Sequence, residues 1–313
     1  MKTKFVRNLL FFLSLCVAIF TILPTLFPNI WWIDLMSHFR VQYLVVLVLI
    51  LLFMVLVGLQ RNKTPLIILV LLFIWNAIYV VPLYISPAIV SENTEQELTI
   101  LSINLLSSNT NSTEVLELIE EKDPDILVLM ELTPHWENQL NEVFKSYPFH
   151  EVKQRNDNFG IALFSKIKMS SSVIYFENSS KSSIKADLVF GDKPLSILAT
   201  HPVPPISPRT FDSRNSQLQD IGRKRDSFSE NFILIGDLNT SSFSSHFRDL
   251  LTNANLVDSR NGFGVATTWP ADFYPLRTTL DHCLIGGELK VLERETAKNI
   301  GSDHLPIFLK IGI

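Results

Sequence analysis

The chain has 313 residues, 47% of them hydrophobic and 19% charged, with a formal net charge of −4 and a mean hydropathy of +0.24. Residues 1–90 hold Lys2, Lys4, Arg7, Arg40, Arg61 and Lys63 against a single acid, Asp34, which leaves 21 of the 27 basic and 30 of the 31 acidic residues in 91–313. This distribution excludes one uniformly soluble globule and divides the chain into a membrane region and an acidic soluble domain; two cysteines, Cys16 and Cys283, are too few for a cysteine metal cluster or a disulfide framework.

Residues 1–90 form the membrane region. Three apolar stretches, 8–27, 41–59 and 65–85, reach the length of about 20 helical residues that a hydrocarbon core requires. The first follows Lys2, Lys4 and Arg7 as a signal peptide would, but no small-residue cleavage site follows it and two further spans do. Trp31 and Trp32 read as interfacial aromatics, and His38 and Arg40 as anchors near the same interface. The N-terminus and the loop 60–64 carry five Lys/Arg while the loop 28–40 carries only Arg40, so the first two are expected in the cytoplasm. Three spans then make the chain a multi-pass integral protein of the cell or inner membrane, with everything after Ile85 on the extracytoplasmic side.

A polar linker, 91–97, leads into a domain expected over 98–313. Its first half alternates strand and helix. Leu98–Ile103 is a β-branched, apolar strand ending at Asn104; a helix capped by Ser112 or Thr113 runs to about Glu121; Ile126–Met130 is a fully apolar strand ending at Glu131; and Pro134 opens a helix with Trp136, Leu140 and Phe144 at helical spacing. The middle is richer in strands: Phe159–Phe164, Ser172–Phe176, Ser183–Phe190 and Leu195–Thr200 alternate with turn residues, which favours antiparallel pairing. The Pro-rich loop His201–Pro208 and a polar helix, Asp212–Ser229, precede the run Phe232–Ile235, which is closed by Gly236-Asp237-Leu238-Asn239. A helix at Ser242–Leu251 and strands at Thr279–Ile285 and Leu305–Ile311 complete a pattern best satisfied by mixed sheets covered by helices on their outer faces.

Five of these strands carry a metal-binding or proton-moving residue at or near an end: Asn104, Glu131, His201, the pair Asp237 and Asn239, and Asp303-His304 before the last strand. Each alone is an ordinary polar strand end. Together, carboxylates and amides without clustered cysteines or paired His spacing suit a hard cation, Mg²⁺ or Mn²⁺, and disfavour zinc. A P-loop is absent from the sequence. His282 follows Asp281 in a strand and therefore faces the opposite way, which reads as structural. Arg209 and Arg214 follow His201 closely enough to reach a substrate phosphate, and Trp269 reads as core packing.

In chain order Asn104, Leu129-Met-Glu131-Leu, Ala199-Thr-His201, Gly236-Asp-Leu-Asn239, Leu280-Asp-His282 and Ser302-Asp-His-Leu-Pro306 resemble the signature blocks of the endonuclease/exonuclease/phosphatase superfamily. His201-Pro-Val-Pro-Pro205 and Thr268-Trp-Pro270 look like a bacterial, membrane-anchored branch of it. The resemblance implies a four-layer α/β sandwich, two mixed β-sheets flanked by helices, with the site at one edge. It implies Glu131 as the principal Mg²⁺ carboxylate, assisted by Asn104 and Asp303. It gives Asp237 the role of orienting or deprotonating the attacking water and Asn239 that of holding a phosphate oxygen. His304, its tautomer fixed by Asp281, contacts the phosphoryl group or moves a proton, and His201 supplies a second phosphate contact or helps the leaving group.

The expected function is a membrane-anchored, Mg²⁺-dependent hydrolase of phosphodiester bonds, of nuclease type. Two other readings stand beside it. One is a phosphomonoesterase or phospholipase acting on lipid or inositol-like headgroups; the other is a catalytically silent membrane module that binds a phosphorylated ligand or a protein. The substrate class therefore runs from nucleic acid and nucleotide to lipid headgroup, the bilayer is itself a partner, and no protein partner follows from the sequence. A domain that is acidic by nine charges is a poor match for tight, nonspecific duplex binding, which rests on phosphate neutralisation.

Overall fold

A computed structural model describes residues 2–58, 63–85, 96–177 and 179–313. The expected linker 91–97, apart from its last two residues, and residues 60–62 of the expected cytoplasmic loop lie outside them. Four helices come first: α1 (Lys2–Leu26), the short α2 (Trp31–Asp34) running through a 3₁₀ turn (Leu35–Phe39) into α3 (Arg40–Leu56), and α4 (Lys63–Val80), which tightens into a 3₁₀ turn at Val81–Tyr84. Three segments, Phe5–Leu26, Trp31–Leu56 and Lys63–Tyr84, are long and apolar enough to cross a membrane. Leu10, Val17, Leu47, Ile50, Met54, Leu69 and Leu72 form their shared core. One polar cluster ties α1, α3 and α4 together: Asn76 Nδ2 donates to Thr21 Oγ1 (3.1 Å), and Arg40 donates to Asn76 Oδ1 (3.3 Å) with its guanidinium 3.8 Å over the Tyr79 ring. Buried polar groups of this kind bind apolar helices to each other where the hydrophobic effect cannot. Arg40, read from the sequence as an anchor at the interface, is thus an internal strut, 1% exposed.

The remainder folds into two six-stranded sheets. The strands are β1 (Glu97–Asn104), β2 (Ile126–Met130), β3 (Phe149–Lys153), β4 (Ile161–Ser165), β5 (Met169–Tyr175), β6 (Ser182–Phe190), β7 (Lys193–Thr200), β8 (Asn231–Asp237), β9 (Val257–Asp258), β10 (Asp281–Gly286), β11 (Lys290–Thr296) and β12 (Ile307–Gly312). Their orders are β11-β12-β1-β2-β4-β3 and β5-β6-β7-β8-β10-β9. The pairs β1/β2 and β7/β8 are parallel and the other pairings antiparallel, so both sheets are mixed. Their inner faces meet in a core containing Ile100, Val128, Leu163, Ile197, Ile233, Ile235 and Leu309. Helices α5 (Ser112–Lys122), α6 (Pro134–Gln139) and α7 (Asn141–Ser146) cover the outer face of the first sheet, and α8 (Pro208–Arg223) and α9 (Ser245–Asn253) that of the second. The result is a four-layer α/β sandwich.

Local sequence explains where the elements start. Asn111, rather than Ser112 or Thr113, caps α5 by accepting from Glu114 N, and Asp123 ends it in the left-handed region at φ 39. Helix α8 begins at Pro208, earlier than its polar pattern indicates, because Ser207 and Thr210 form a capping box around Pro208 at the first helical position. Strands β3 and β11 carry no alternation strong enough to read. Both are edge strands, Phe-His-Glu-Val-Lys and Lys-Val-Leu-Glu-Arg-Glu-Thr, and charged, half-buried residues protect such edges from further pairing.

The two-sheet unit does not hang from a tether; it sits on one end of the helical bundle. The turn between α1 and α3 supplies the Pro28 carbonyl to His246 Nε2 (3.0 Å), the Asp34 carboxylate to Arg214 (3.2 Å) and Ser244 Oγ (2.7 Å), and the His38 carbonyl to Thr278 Oγ1 (2.9 Å). The end of α4 supplies the Leu83 carbonyl to the amides of Gly262 (3.0 Å) and Gly264 (2.7 Å). Val80 and Leu83 bury against Phe243 and Val265.

Candidate active site

Strand direction alone gathers the polar strand ends. The parallel pairs β1/β2 and β7/β8 finish at the same edge, placing Asn104, Glu131, His201 and Asp237 there. Antiparallel β10 starts where β8 stops, with Asp281 opposite Asp237, and β12 starts beside the end of β1, with Ile307 opposite Ser102, so Asp303 and His304 enter the same edge. Close approach of the strand ends requires glycine at 236: its φ is 143, and a Cβ there would fall 2.1 Å from the Thr200 carbonyl oxygen.

Asp237 is the centre of the arrangement. It is 1% exposed, and its Oδ2 lies 3.3 Å from Asn104 Nδ2, 3.4 Å from His201 Nε2 and 3.6 Å from His304 Nε2, while Oδ1 accepts from the Asn239 amide (2.9 Å). Burial opposes the charge on this carboxyl, but His304, His201 and the Asn239 amide outweigh it and hold the pKa down at about 2. His304 shows the converse. Burial would lower its pKa, but Asp281, whose Oδ2 accepts from Nδ1 at 2.8 Å, together with Asp237, pushes it up to about 10. At neutral pH the site therefore holds a carboxylate facing an imidazolium, and Asp281 fixes the ring.

Beside this lies an oxygen-rich corner. Asn104 Nδ2 bridges Asp237 to Glu131 Oε1 (3.3 Å), and Glu131 Oε2 accepts from the Ser107 amide (2.9 Å). Glu131 has φ 59, so the chain turns sharply as β2 ends and swings the carboxylate to the edge. Asp303 is half-buried; its Oδ2 accepts from Trp269 Nε1 (3.1 Å), and its Oδ1 is buried without a hydrogen-bond partner among the described residues. Two acids drawn toward one amide, and a third carboxylate with an orphaned oxygen, are donors of the type that a hard divalent cation takes. Asn104 itself presents Nδ2 to the acids and Oδ1 to the Leu106 amide (3.1 Å), so as it stands it clamps them. Acting as a ligand requires its amide to turn over. Asp237, Asp281 and His304 also bring ligand atoms within 4.8 Å of one another, close enough to share an ion. There, however, the imidazole holds protons against both acids, which a metal would have to displace.

The other expected residues are placed as follows. Asn239, at φ 50, spends Nδ2 on the Pro202 carbonyl (3.0 Å) and its own carbonyl on Arg214 (2.9 Å). His201 leaves Nδ1 buried without a partner among the described residues and lies 5.3 Å from the Phe159 ring, over which Lys181 Nζ sits at 3.5 Å. Lys181 and Arg209 line an open cleft of about 900 Å³. Arg214 does not face a substrate: it is 0% exposed and paired with Asp34. Trp269, read from the sequence as core packing, belongs to the site through its bond to Asp303. His282 points to the other face of β10, where Arg260 and the Thr240 carbonyl hold it. The contributions of Ser107 and of Met130, whose Sδ accepts the Asp237 amide (2.9 Å), leave no trace in sequence pattern because one is a backbone group and the other an ordinary core side chain.

A family model for the Endonuclease/Exonuclease/phosphatase family matches residues 101–304, and the chain belongs to that family. Solved structures share its fold. TDP2 of D. rerio complexed with single-strand DNA product is 18% identical, with a TM-score of 0.59 over 70% of this chain and 100% of that one. The human Nocturnin catalytic domain with bound sulfate anion is 18% identical, with a TM-score of 0.57 over 70% and 94%. Sphingomyelinase C from Streptomyces griseocarneus is 17% identical, with a TM-score of 0.52 over 69% and 99%. At these identities the likeness is one of fold. Among curated protein sequences the chain finds no significant match.

Proposed function

We propose that this chain is a membrane-anchored, Mg²⁺-dependent phosphodiesterase, with Mn²⁺ able to substitute, whose 98–313 domain faces the extracytoplasmic side of the membrane. The observation that carries the reading is the Asp237 carboxylate, buried and charged, with two imidazoles and an amide on one oxygen. A carboxylate kept charged in this way orients an attacking water held against it and accepts the proton that the water loses as it bonds to phosphorus. The water oxygen bonds to phosphorus, its proton passes to Asp237, the ester bond to the leaving oxygen breaks, and that oxygen takes a proton from solvent. The His304 imidazolium, steadied by Asp281 and with Nε2 beside Asp237 Oδ2 (3.6 Å), puts a positive charge next to the reacting phosphate, where it offsets the charge that grows on the nonbridging oxygens in the transition state. Asn239 and His201 are the further phosphate contacts, Asn239 once its Nδ2 turns from the Pro202 carbonyl. Glu131, Asp303 and Asn104 would hold the metal, which supplies Lewis-acid stabilisation of the phosphoryl oxygens when bound.

A panel of phosphodiesters and phosphomonoesters tested on the full-length protein in detergent micelles with Mg²⁺ examines this reading. Hydrolysis of diesters, lost in Asp237→Asn, is expected. A protein that cleaves nothing on the panel is instead the silent binding module, and diester turnover that is unchanged in Asp237→Asn contradicts the role given to that carboxylate. Protease digestion of intact cells tests the orientation, and cleavage of the domain only after lysis contradicts it.

A further inference from the structure

We infer that the phosphodiester cleaved at this site belongs to a phospholipid presented by the bilayer in which the chain is anchored; the inference rests on the phosphodiesterase reading above. The catalytic edge is fixed to the membrane end of the helical bundle from two directions. On one, the Asn239 carbonyl accepts from Arg214, whose other nitrogen reaches Asp34 Oδ2 (3.2 Å), so a single buried side chain separates the Asp237–Asn239 turn from the turn joining α1 to α3. On the other, Asp303 accepts from Trp269 Nε1 and, through its carbonyl, from the Ala271 amide (2.7 Å); Trp269 pairs with Thr278, and Thr278 Oγ1 donates to the His38 carbonyl (2.9 Å). Such an edge cannot swing away from the surface.

The segment between Ala271 and Thr278 is the part of this edge that a bilayer would meet. Phe273, Tyr274 and Leu276 are 53%, 75% and 48% exposed, an apolar group that carries a cost in water. Gln42, in the first turn of α3, holds the same segment by donating to the Pro275 (3.3 Å) and Arg277 (3.0 Å) carbonyls, which sets these side chains beside the membrane-length segment Trp31–Leu56. Aromatic and apolar side chains at that depth are stabilised by the interface. The Arg277 guanidinium, 5.3 Å from the Tyr274 ring and donating to the Pro270 and Ala271 carbonyls, keeps a positive charge on this segment that would attract headgroup phosphates. A lipid phosphodiester needs only such local charge. A nucleic acid would need a long basic track, and residues 91–313 carry 21 basic against 30 acidic residues.

The test uses full-length protein in dodecyl maltoside mixed micelles containing phosphatidylglycerol, phosphatidylcholine or sphingomyelin, with a single-stranded oligonucleotide and bis(p-nitrophenyl) phosphate as soluble diesters. Phosphorus NMR follows conversion of diester to monoester. At least one lipid should be cleaved faster than the oligonucleotide. The triple variant Phe273→Ser, Tyr274→Ser, Leu276→Ser should lower kcat/KM for that lipid about tenfold, through KM, while leaving bis(p-nitrophenyl) phosphate turnover intact. Preference for the oligonucleotide, or equal loss on lipid and soluble diester in the triple variant, overturns the inference. Cleavage of bis(p-nitrophenyl) phosphate but of no lipid overturns it alone, and absence of all hydrolysis overturns it together with the phosphodiesterase reading.

Discussion

Two buried histidines on opposite sides of one sheet have been driven to opposite charge states. His304 lies between Asp281 and Asp237 and is held protonated, its pKa raised to about 10. His282, adjacent in sequence to Asp281, has its pKa lowered to about 3, by burial first and then by the Arg260 guanidinium. Its Nε2 donates to the Thr240 carbonyl (2.7 Å), leaving Nδ1 to accept from Arg260 (2.9 Å), so a neutral ring completes a network with the Asp258–Arg260 ion pair. Residue type and depth are the same at both places. What differs is the sign of the neighbours, which keeps one ring charged and the other neutral.

The contrast can be broken most severely at its charged end. Asp237→Asn removes the carboxylate that both His201 and His304 face, and we expect kcat on bis(p-nitrophenyl) phosphate to fall by about 10³–10⁴ with the thermal melt retained. Next in size is the strut beneath the site: Asp34→Ala leaves Arg214 buried without its partner, which should cost about 3–5 kcal/mol of stability in detergent, read by thermal unfolding. Asp281→Asn keeps the shape but weakens the hold on the imidazolium, and a loss of about 10² in kcat is expected, well below that of Asp237→Asn.

His282→Gln gives the smallest effect and sharpens the comparison. It should leave kcat within about twofold and cost about 1–3 kcal/mol of stability, since Arg260 and Thr240 lose a shaped partner. The pH dependence follows from the lowered pKa. A ring that titrates near 3 when folded and near 6.5 when unfolded stabilises the fold fully above about 6.5, and that contribution is lost as pH falls toward 3. Unfolding measured between these limits should therefore show a shallower acid limb in His282→Gln than in the parent.

The sequence carried much of this because the acids and imidazoles that meet at the edge stand where apolar runs stop. Ile126–Met130 before Glu131 and Phe232–Ile235 before Gly236-Asp237 are buried on both faces, and their ends are where a chain must turn and where an α/β sheet presents ligands. The charged edge strands β3 and β11 were invisible to such a pattern. The pairing of Asp34 with Arg214 was illegible for a different reason: it joins residues 180 positions apart, and a lone acid between apolar runs looks like an interfacial residue until its partner is seen. The same holds for Trp269, whose indole nitrogen matters only because Asp303 comes to it from another part of the chain.

The most direct test is the initial rate of bis(p-nitrophenyl) phosphate hydrolysis by the full-length protein in micelles, stripped with EDTA and then resupplied with Mg²⁺. Activity should vanish on stripping and return with Mg²⁺ in the parent, but not in Glu131→Gln. Hydrolysis that persists in EDTA, or returns equally in Glu131→Gln, would contradict a metal-dependent phosphodiesterase built on this edge.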